Sequence, residues 1–126
     1  MRFLLDTHVF LWCIKDDRSL SKAIRAKILA APEVYVSSAS IWELTIKIKL
    51  KKLEGHIDQI VKAVDESGFL ELPITMQHAV AVSDLPDIHH DPFDRILIAQ
   101  AIIEPLIFLT ADAALKDYSN LVELIV

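Results

Sequence analysis

The acidic residues that can do chemistry in this chain follow apolar runs or stand where helices begin. Asp6 directly follows the run Phe3-Leu4-Leu5, while Glu43, Asp94 and Asp112 stand near later runs or helix starts. Carboxylates that meet in one place raise one another's pKa unless a cation lies among them. Mg²⁺ and Mn²⁺ prefer such oxygen ligands, orient phosphates and lower the pKa of bound water. The pattern indicates metal-assisted chemistry on a phosphate, provided that the fold brings these acids together.

Apolar runs alternate with segments of helical spacing along the whole chain. Strands are predicted at about 2–6, 34–37, 69–72, 106–109 and 121–126, and helices at 8–14, 19–31, 38–53, 57–66, 75–83, 91–104 and 110–116. The segment 38–53 also alternates like a strand, but its apolar stripe favours a helix. Repeated βα units imply an α/β fold with a parallel sheet covered on both faces. Every strand-to-helix junction then lies on one edge of the sheet, where ligands bind in such folds.

The composition restricts the class of protein. The 126 residues are 53% hydrophobic and carry a net charge of -5, so we expect a single domain over 1–126 with a sizeable core. An acidic chain has no general attraction for nucleic acid, so such a partner needs a local basic patch or a metal. The single Cys13 excludes an internal disulfide. No apolar run reaches the ~18 residues of a membrane span, so we expect a soluble, cytoplasmic protein.

Three of the four acids have a structural alternative. Glu43 can complete a capping box with a serine three residues earlier, Asp94 can do the same with Asp91, and Asp112 can favour a helix dipole. Asp6 is predicted to end a buried strand rather than to cap a helix. It is therefore the acid that is hardest to explain by structure alone.

Four short motifs, taken together, resemble the PIN domain, and more specifically the VapC-like toxins of toxin–antitoxin pairs. They are Leu4-Leu5-Asp6-Thr7-His8, Ser37-Ser38-Ala39-Ser40-Ile41-Trp42-Glu43 with Lys47 following, His90-Asp91-Pro92-Phe93-Asp94-Arg95 running into Leu97-Ile98-Ala99-Gln100-Ala101, and Leu109-Thr110-Ala111-Asp112. The resemblance covers essentially the whole chain. It implies an α/β/α sandwich with about five parallel strands and a Mg²⁺- or Mn²⁺-dependent endoribonuclease. It also implies a homodimer, inhibited by a cognate antitoxin protein.

The resemblance assigns roles to the acids. It implies that Asp6, Glu43, Asp94 and Asp112 are the catalytic residues and metal ligands, with Asp6 and Asp94 the firmest ligands. Glu43 and Asp112 then bind metal directly, bind it through water, or orient the nucleophilic water. Asp91 is near enough to join the site, although its position favours a helix N-cap.

Candidate substrate-binding groups lie beside these acids. Lys47 can contact a phosphate or pair with Glu43, and Arg95 can clamp a phosphate or pair with Asp91. Thr7 can cap a helix or bind a water molecule at the metal. The other lysines of the basic run are expected on a solvated helix face, and the tryptophans in the core or a dimer interface. These residues are Lys49, Lys51, Lys52, Trp12 and Trp42.

Other functions fit the sequence less well. His89 and His90 have no second cluster with zinc-ligand spacing, and Cys13 has no partner cysteine. Phosphatases with an aspartyl nucleophile need a second Asp two residues after the first, where this chain has His8. A non-catalytic PIN-like binding module remains the alternative to a nuclease, and the intact set of acids argues against it.

Overall fold

A computed structural model describes residues 1–126, and its centre is a parallel five-stranded sheet. The strands are β1 (Arg2–Leu5), β2 (Glu33–Ser37), β3 (Leu70–Leu72), β4 (Ile107–Thr110) and β5 (Val122–Leu124). Their order across the sheet is β3-β2-β1-β4-β5, with every neighbouring pair parallel. The predicted α/β fold, with a parallel sheet of about five strands, is confirmed.

Helices join the strands and cover both faces of the sheet. They are α1 (Thr7–Lys15), α2 (Lys22–Ala30), α3 (Ser38–Lys49), α4 (Ile57–Glu66), α5 (Met76–Ala81) and α6 (Pro92–Ile103), with 3₁₀ turns at Val82–Asp84 and Ala113–Tyr118. The segment with the ambiguous period is therefore helical up to Lys49. None of the helices is both long and apolar enough to cross a membrane.

The strands separate two apolar layers. Phe3 and Leu5 of β1 and Leu109 of β4 pack beneath α1 to α4, whereas Leu4 and Phe108 pack beneath α6 on the opposite face. Successive side chains of a strand point to opposite faces, so runs that are apolar throughout can serve both layers. Burying an aliphatic or aromatic side chain of this size contributes about 1.5–3 kcal/mol. The result is an α/β/α sandwich.

Several helix starts differ from the prediction because different side chains cap them. Helix α2 begins at Lys22 rather than at 19, since the hydroxyl of Ser21 accepts the N–H of Ile24 at 3.2 Å. Ser37 caps α3, so the predicted capping box of Ser40 and Glu43 is wrong. The predicted cap at Asp91 is confirmed, because its carboxylate accepts two backbone N–H groups at the start of α6.

The strand order reverses between β1 and β4, which is where ligands bind in sheets of this kind. Strands β2 and β3 lie on one side of β1, while β4 and β5 lie on the other. The segments that leave the carboxyl ends of β1 and β4 therefore begin side by side. They carry Asp6 and Asp112.

Candidate metal centre

Asp6 lies at the carboxyl end of β1, and only 6% of its surface is exposed. One carboxylate oxygen accepts the N–H of His8 at 2.9 Å, and the other accepts the hydroxyl of Thr110 at 2.6 Å. Asp6 is thus the N-cap of α1, and the expectation that it has no capping role is wrong. Thr7, expected as the cap, is the first helical residue. Burial raises the pKa of Asp6, while the hydrogen bonds from Thr110 and His8 oppose that shift.

Thr110 joins two of the predicted acids. Its hydroxyl donates to Asp6 and accepts the N–H of Asp112 at 3.1 Å. Asp112 caps the following 3₁₀ turn, Ala113–Tyr118, by accepting the N–H of Ala114 at 3.0 Å, so this segment begins later than the predicted helix at 110–116. The second oxygen of Asp112 has no protein partner and stays available to a ligand.

Both carboxylate oxygens of Glu43 have a partner in the protein. One oxygen accepts the hydroxyl of Thr7 at 2.9 Å, and the other pairs with the ammonium of Lys47 at 2.8 Å. The predicted i,i+4 pair of Glu43 and Lys47 is confirmed. Thr7 is buried and also shares a hydrogen bond with Ser40 at 2.8 Å. Its hydroxyl orients Glu43, and the substrate contact of Thr7 stays a prediction.

Asp94, in the first turn of α6, is the carboxyl group whose pKa is shifted most. Burial, together with the negative charges of Asp91 and Asp6, raises the pKa of Asp94 to about 6. A hydrogen bond of 3.0 Å to Nε2 of His89 partly opposes this shift. Mutual repulsion of the acids was the reason to expect a cation among them, and at Asp94 that repulsion is present.

His89 completes a compact group of ligand atoms that sequence reasoning missed. One ligand atom from each of His89, Asp94 and Asp112 lies within 4.8 Å of the others. Such a group can hold one divalent ion. The chain has no second cluster with zinc-ligand spacing, but the fold brings partners to His89 from α6 and from the segment after β4. The available signal was the position of His89, shortly before the N-cap of α6.

Arg95 fixes the loop that carries His89. Its guanidinium donates to the carbonyls of Val82 at 3.2 Å, Pro86 at 2.9 Å and His89 at 3.3 Å, and to the hydroxyl of Tyr118 at 3.2 Å. That hydroxyl donates to the same His89 carbonyl at 3.1 Å. The predicted pair with Asp91 is absent. Arg95 therefore supports the position of His89, and its contact with a phosphate stays a prediction.

A cavity of about 260 Å³ opens beside the acids. Its lining includes Asp6, His8, Trp12 and Asp112. The larger cavity of about 350 Å³, between α3 and α4, has a mainly apolar lining and contains none of the predicted site residues. The cavity beside the acids is therefore the one that fits the chemistry.

The sequence pattern that defines the PIN domain matches residues 3–121. The chain belongs to the PIN domain family. This PIN domain is similar in fold to VapBC2 from Rickettsia felis bound to a promoter DNA fragment, with a TM-score of 0.73 and 15% identity over 97% of this chain and 96% of that one. It is also similar to DNA-bound VapBC from Salmonella typhimurium, with a TM-score of 0.68 and 19% identity over 94% and 92%. No curated protein matches it by sequence.

The donor set of this PIN domain fits a divalent cation. Carboxylate oxygens dominate it. Burial raises the pKa of Asp94 most, and the negative charges of Asp91 and Asp6, which a cation can neutralise, raise it further. Mg²⁺ and Mn²⁺ both accept carboxylates, and an imidazole suits Mn²⁺ better than Mg²⁺. His89, Asp94 and Asp112 are the residues whose ligand atoms lie close enough together to hold such an ion. Asp6 lies outside this group of three, although its charge acts on Asp94.

Proposed function

We propose that this PIN domain is a Mg²⁺- or Mn²⁺-dependent endoribonuclease and the toxin of a VapBC-type pair. The observation that carries the proposal is the convergence of Asp94, Asp112 and His89 within 4.8 Å, at the switch point of the sheet. The charge of buried Asp6 acts on Asp94, so Asp6 belongs to the same electrostatic group. This arrangement suits hydrolysis of an RNA phosphodiester bond.

Each residue has a distinct role in the proposed reaction. A divalent metal supplies charge neutralisation for the phosphate and a lowered pKa for a water molecule. Asp94 and Asp112, together with Asp6, would hold the cation, and hydrogen bonds from Thr110 to Asp6 and between His89 and Asp94 keep two of these carboxylates oriented. Glu43, aligned by Thr7, accepts a hydrogen bond from the attacking water. Lys47 neutralises Glu43, and we propose that it also contacts the phosphate of the substrate.

Toxin activity requires a partner that restrains it. We propose an antitoxin protein as this partner, because the similar VapBC structures are complexes of that kind by name. We also propose a homodimer in the cytoplasm. Its support is a set of exposed apolar side chains on α3 and α5, including Trp42 at 60% and Met76 at 89% exposure.

Cleavage of RNA by the purified protein tests the proposal. Wild type and Asp6→Asn are incubated with a mixed-sequence RNA in Mg²⁺, in Mn²⁺ and in EDTA, with exposed Asp58→Asn as the matched control. We expect wild type and Asp58→Asn to cleave the RNA in the presence of metal. Loss of cleavage in EDTA, and in Asp6→Asn, supports a metal-dependent nuclease. Cleavage that persists in EDTA or in Asp6→Asn contradicts the metal mechanism.

Growth of cells that express the protein tests the toxin proposal separately. Induction of wild type is expected to arrest growth, and Asp94→Ala is expected to relieve the arrest at an equal protein level. Arrest that is undiminished in Asp94→Ala argues against nuclease toxicity. Absence of cleavage of every RNA tested, together with normal growth, favours a non-catalytic binding module.

A further inference from the structure

A basic groove adjoins the acidic cavity and was not predicted as a site. It has a volume of about 300 Å³ and is lined by His8, Trp12, Lys15, Lys47 and Lys52, among others. The acidic cavity beside Asp6 shares His8 and Trp12 with it. The two spaces therefore lie side by side and share these two rings as lining.

Two helices create the groove by regular geometry. His8, Trp12 and Lys15 are spaced four and three residues apart, so they share one face of α1. The rings of His8 and Trp12 are 6.4 Å apart between centroids and inclined by 50°. One wall of the groove is therefore aromatic and ends at an ammonium group.

The opposite wall is the carboxyl end of α3. The N–H of Lys52 bonds to the carbonyl of Lys47 at 2.9 Å, and the N–H of Lys51 bonds to the carbonyl of Ile48 at 3.0 Å. This is a Schellman turn, with Lys51 at φ 60° where glycine is usual. The turn brings Lys52 beside Lys47, so that both lysines line the groove opposite α1.

Charge in the groove contrasts with the chain as a whole. The protein carries a net charge of -5, yet three lysines line this space with Asp17 as the only acid. Lys47 is paired with Glu43, whereas Lys15 and Lys52 have no salt-bridge partner. Asp17 already accepts the N–H of Ser19 at 2.8 Å. Two ammonium groups are thus free to bind an anion.

We propose that this groove binds one unpaired nucleotide of a single-stranded RNA next to the bond that the acids cleave. The base stacks on Trp12, and Lys15 and Lys52 bind the adjoining phosphates. An unpaired base can reach the ring, whereas the stacked bases of a duplex cannot. This inference rests on the proposed nuclease function and assigns the nucleotide beside the cleaved bond to the residues of this groove. Trp12 also packs against the core, as the sequence predicts, and Lys52 is exposed, so binding is a second role for both residues.

Binding in EDTA tests the groove without cleavage. Fluorescein-labelled decauridylate is titrated with the full chain, with Lys15→Ser/Lys52→Ser, and with Lys22→Ser/Lys62→Ser, which has the same net charge and lies outside the groove. We expect the groove variant to bind about tenfold more weakly and the control variant to bind like wild type. The slope of log K against log salt should shrink by about 1.4, or about 0.7 for each lost phosphate contact.

Fluorescence of Trp12 tests stacking. Trp42→Phe leaves Trp12 as the only tryptophan, because the chain has two. Decauridylate is expected to quench this emission, while inorganic polyphosphate, which has charge but no base, is not. Trp12→Leu should weaken binding at least about fivefold, and Trp12→Phe, which keeps a ring, should retain most of it.

The outcomes separate this inference from the nuclease proposal. The proposed RNA binding by the groove is overturned if the two lysine double variants lose RNA affinity equally or if neither loses it. It is also overturned if polyphosphate quenches the Trp12 emission as much as RNA does. Groove variants that bind RNA normally but no longer bind a purified antitoxin show that the groove takes a protein instead. RNA binding that depends on the groove, without cleavage in Mn²⁺, contradicts the nuclease and leaves the groove supported.

Discussion

The hydroxyl of Thr110 donates to a carboxylate oxygen of Asp6 at 2.6 Å, across the junction of β4 and β1. The hydrogen bond lowers the pKa of a carboxyl group that burial raises. It therefore keeps Asp6 closer to its ionised form, which is the form that binds a cation. The same hydroxyl accepts the N–H of Asp112, so one side chain positions two of the proposed ligands.

Replacement of Thr110 by valine should weaken metal binding while it preserves the size of the side chain. Valine matches the size of threonine but cannot donate to Asp6, so the pKa of Asp6 should rise further. We expect Thr110→Val to lose about 1–3 kcal/mol of unfolding free energy and to bind Mn²⁺ more weakly. Urea unfolding and isothermal titration calorimetry measure the two effects. Thr110→Ser, which retains the hydroxyl, is the control, and equal loss in both variants would rule out a role for the hydrogen bond.

Stability without metal should fall as the pH rises. The pKa of Asp94 is about 6 in the folded state and near 3.8 when unfolded, so the folded state holds this proton more tightly. The favourable contribution is complete below about pH 4 and is lost as the pH rises through 6. Urea unfolding in EDTA should show this fall in wild type, and Asp94→Asn should remove it. Parallel pH profiles for the two proteins would contradict the assignment.

Mn²⁺ at neutral pH should restore the stability that ionised Asp94 costs. A ligand that binds only the folded state stabilises it according to its concentration and affinity. The melting temperature of wild type should therefore rise with Mn²⁺ concentration, and that of Asp94→Asn should rise much less. An equal rise in both proteins would indicate that the ion binds elsewhere.

His89 should tune the choice of metal. Imidazole suits Mn²⁺ better than Mg²⁺, so His89→Ala should weaken Mn²⁺ binding by about tenfold and change Mg²⁺ binding little. His90→Ala is a matched control, because the neighbouring His90 is exposed and lies outside the ligand group. Calorimetric titration with each metal measures the ratio of the two affinities. A ratio unchanged in His89→Ala would remove His89 from the metal centre.

Arg95 should matter for stability rather than for RNA affinity. Its guanidinium donates hydrogen bonds to the carbonyls of Val82, Pro86 and His89. The single ammonium group of lysine cannot reproduce this set of hydrogen bonds. Arg95→Lys should therefore lower the unfolding free energy by about 2 kcal/mol while folded protein binds decauridylate like wild type. Weaker RNA binding at unchanged stability would restore the predicted phosphate clamp.

The sequence predicted the fold because its signals are local and repeated. Runs such as Leu106-Ile107-Phe108-Leu109 alternate with capped helices, and that alternation alone implies a parallel sheet. The edge on which the acids meet follows from the same topology. Cap positions were less predictable, since Ser19 and Ser21 are equivalent by residue type and only their backbone geometry distinguishes them.

Long-range contacts account for what the sequence did not predict. His89 and Asp112 are far apart along the chain and meet only in the folded structure. Arg95 adjoins Asp94 in sequence, yet its side chain turns to a loop whose path no local pattern indicates. The basic groove combines the face of α1 with a Schellman turn at Lys51, a turn usually signalled by glycine.

Titration of Mn²⁺, followed by the electron paramagnetic resonance signal of the free ion, tests most directly whether the acids form one metal centre. Wild type and Asp58→Asn should remove Mn²⁺ from solution at a shared site with the same affinity. Asp6→Asn and Asp94→Asn should each bind at least about tenfold more weakly, because each removes a charged ligand. Binding of Mn²⁺ by both variants with wild-type affinity would contradict the proposed metal centre.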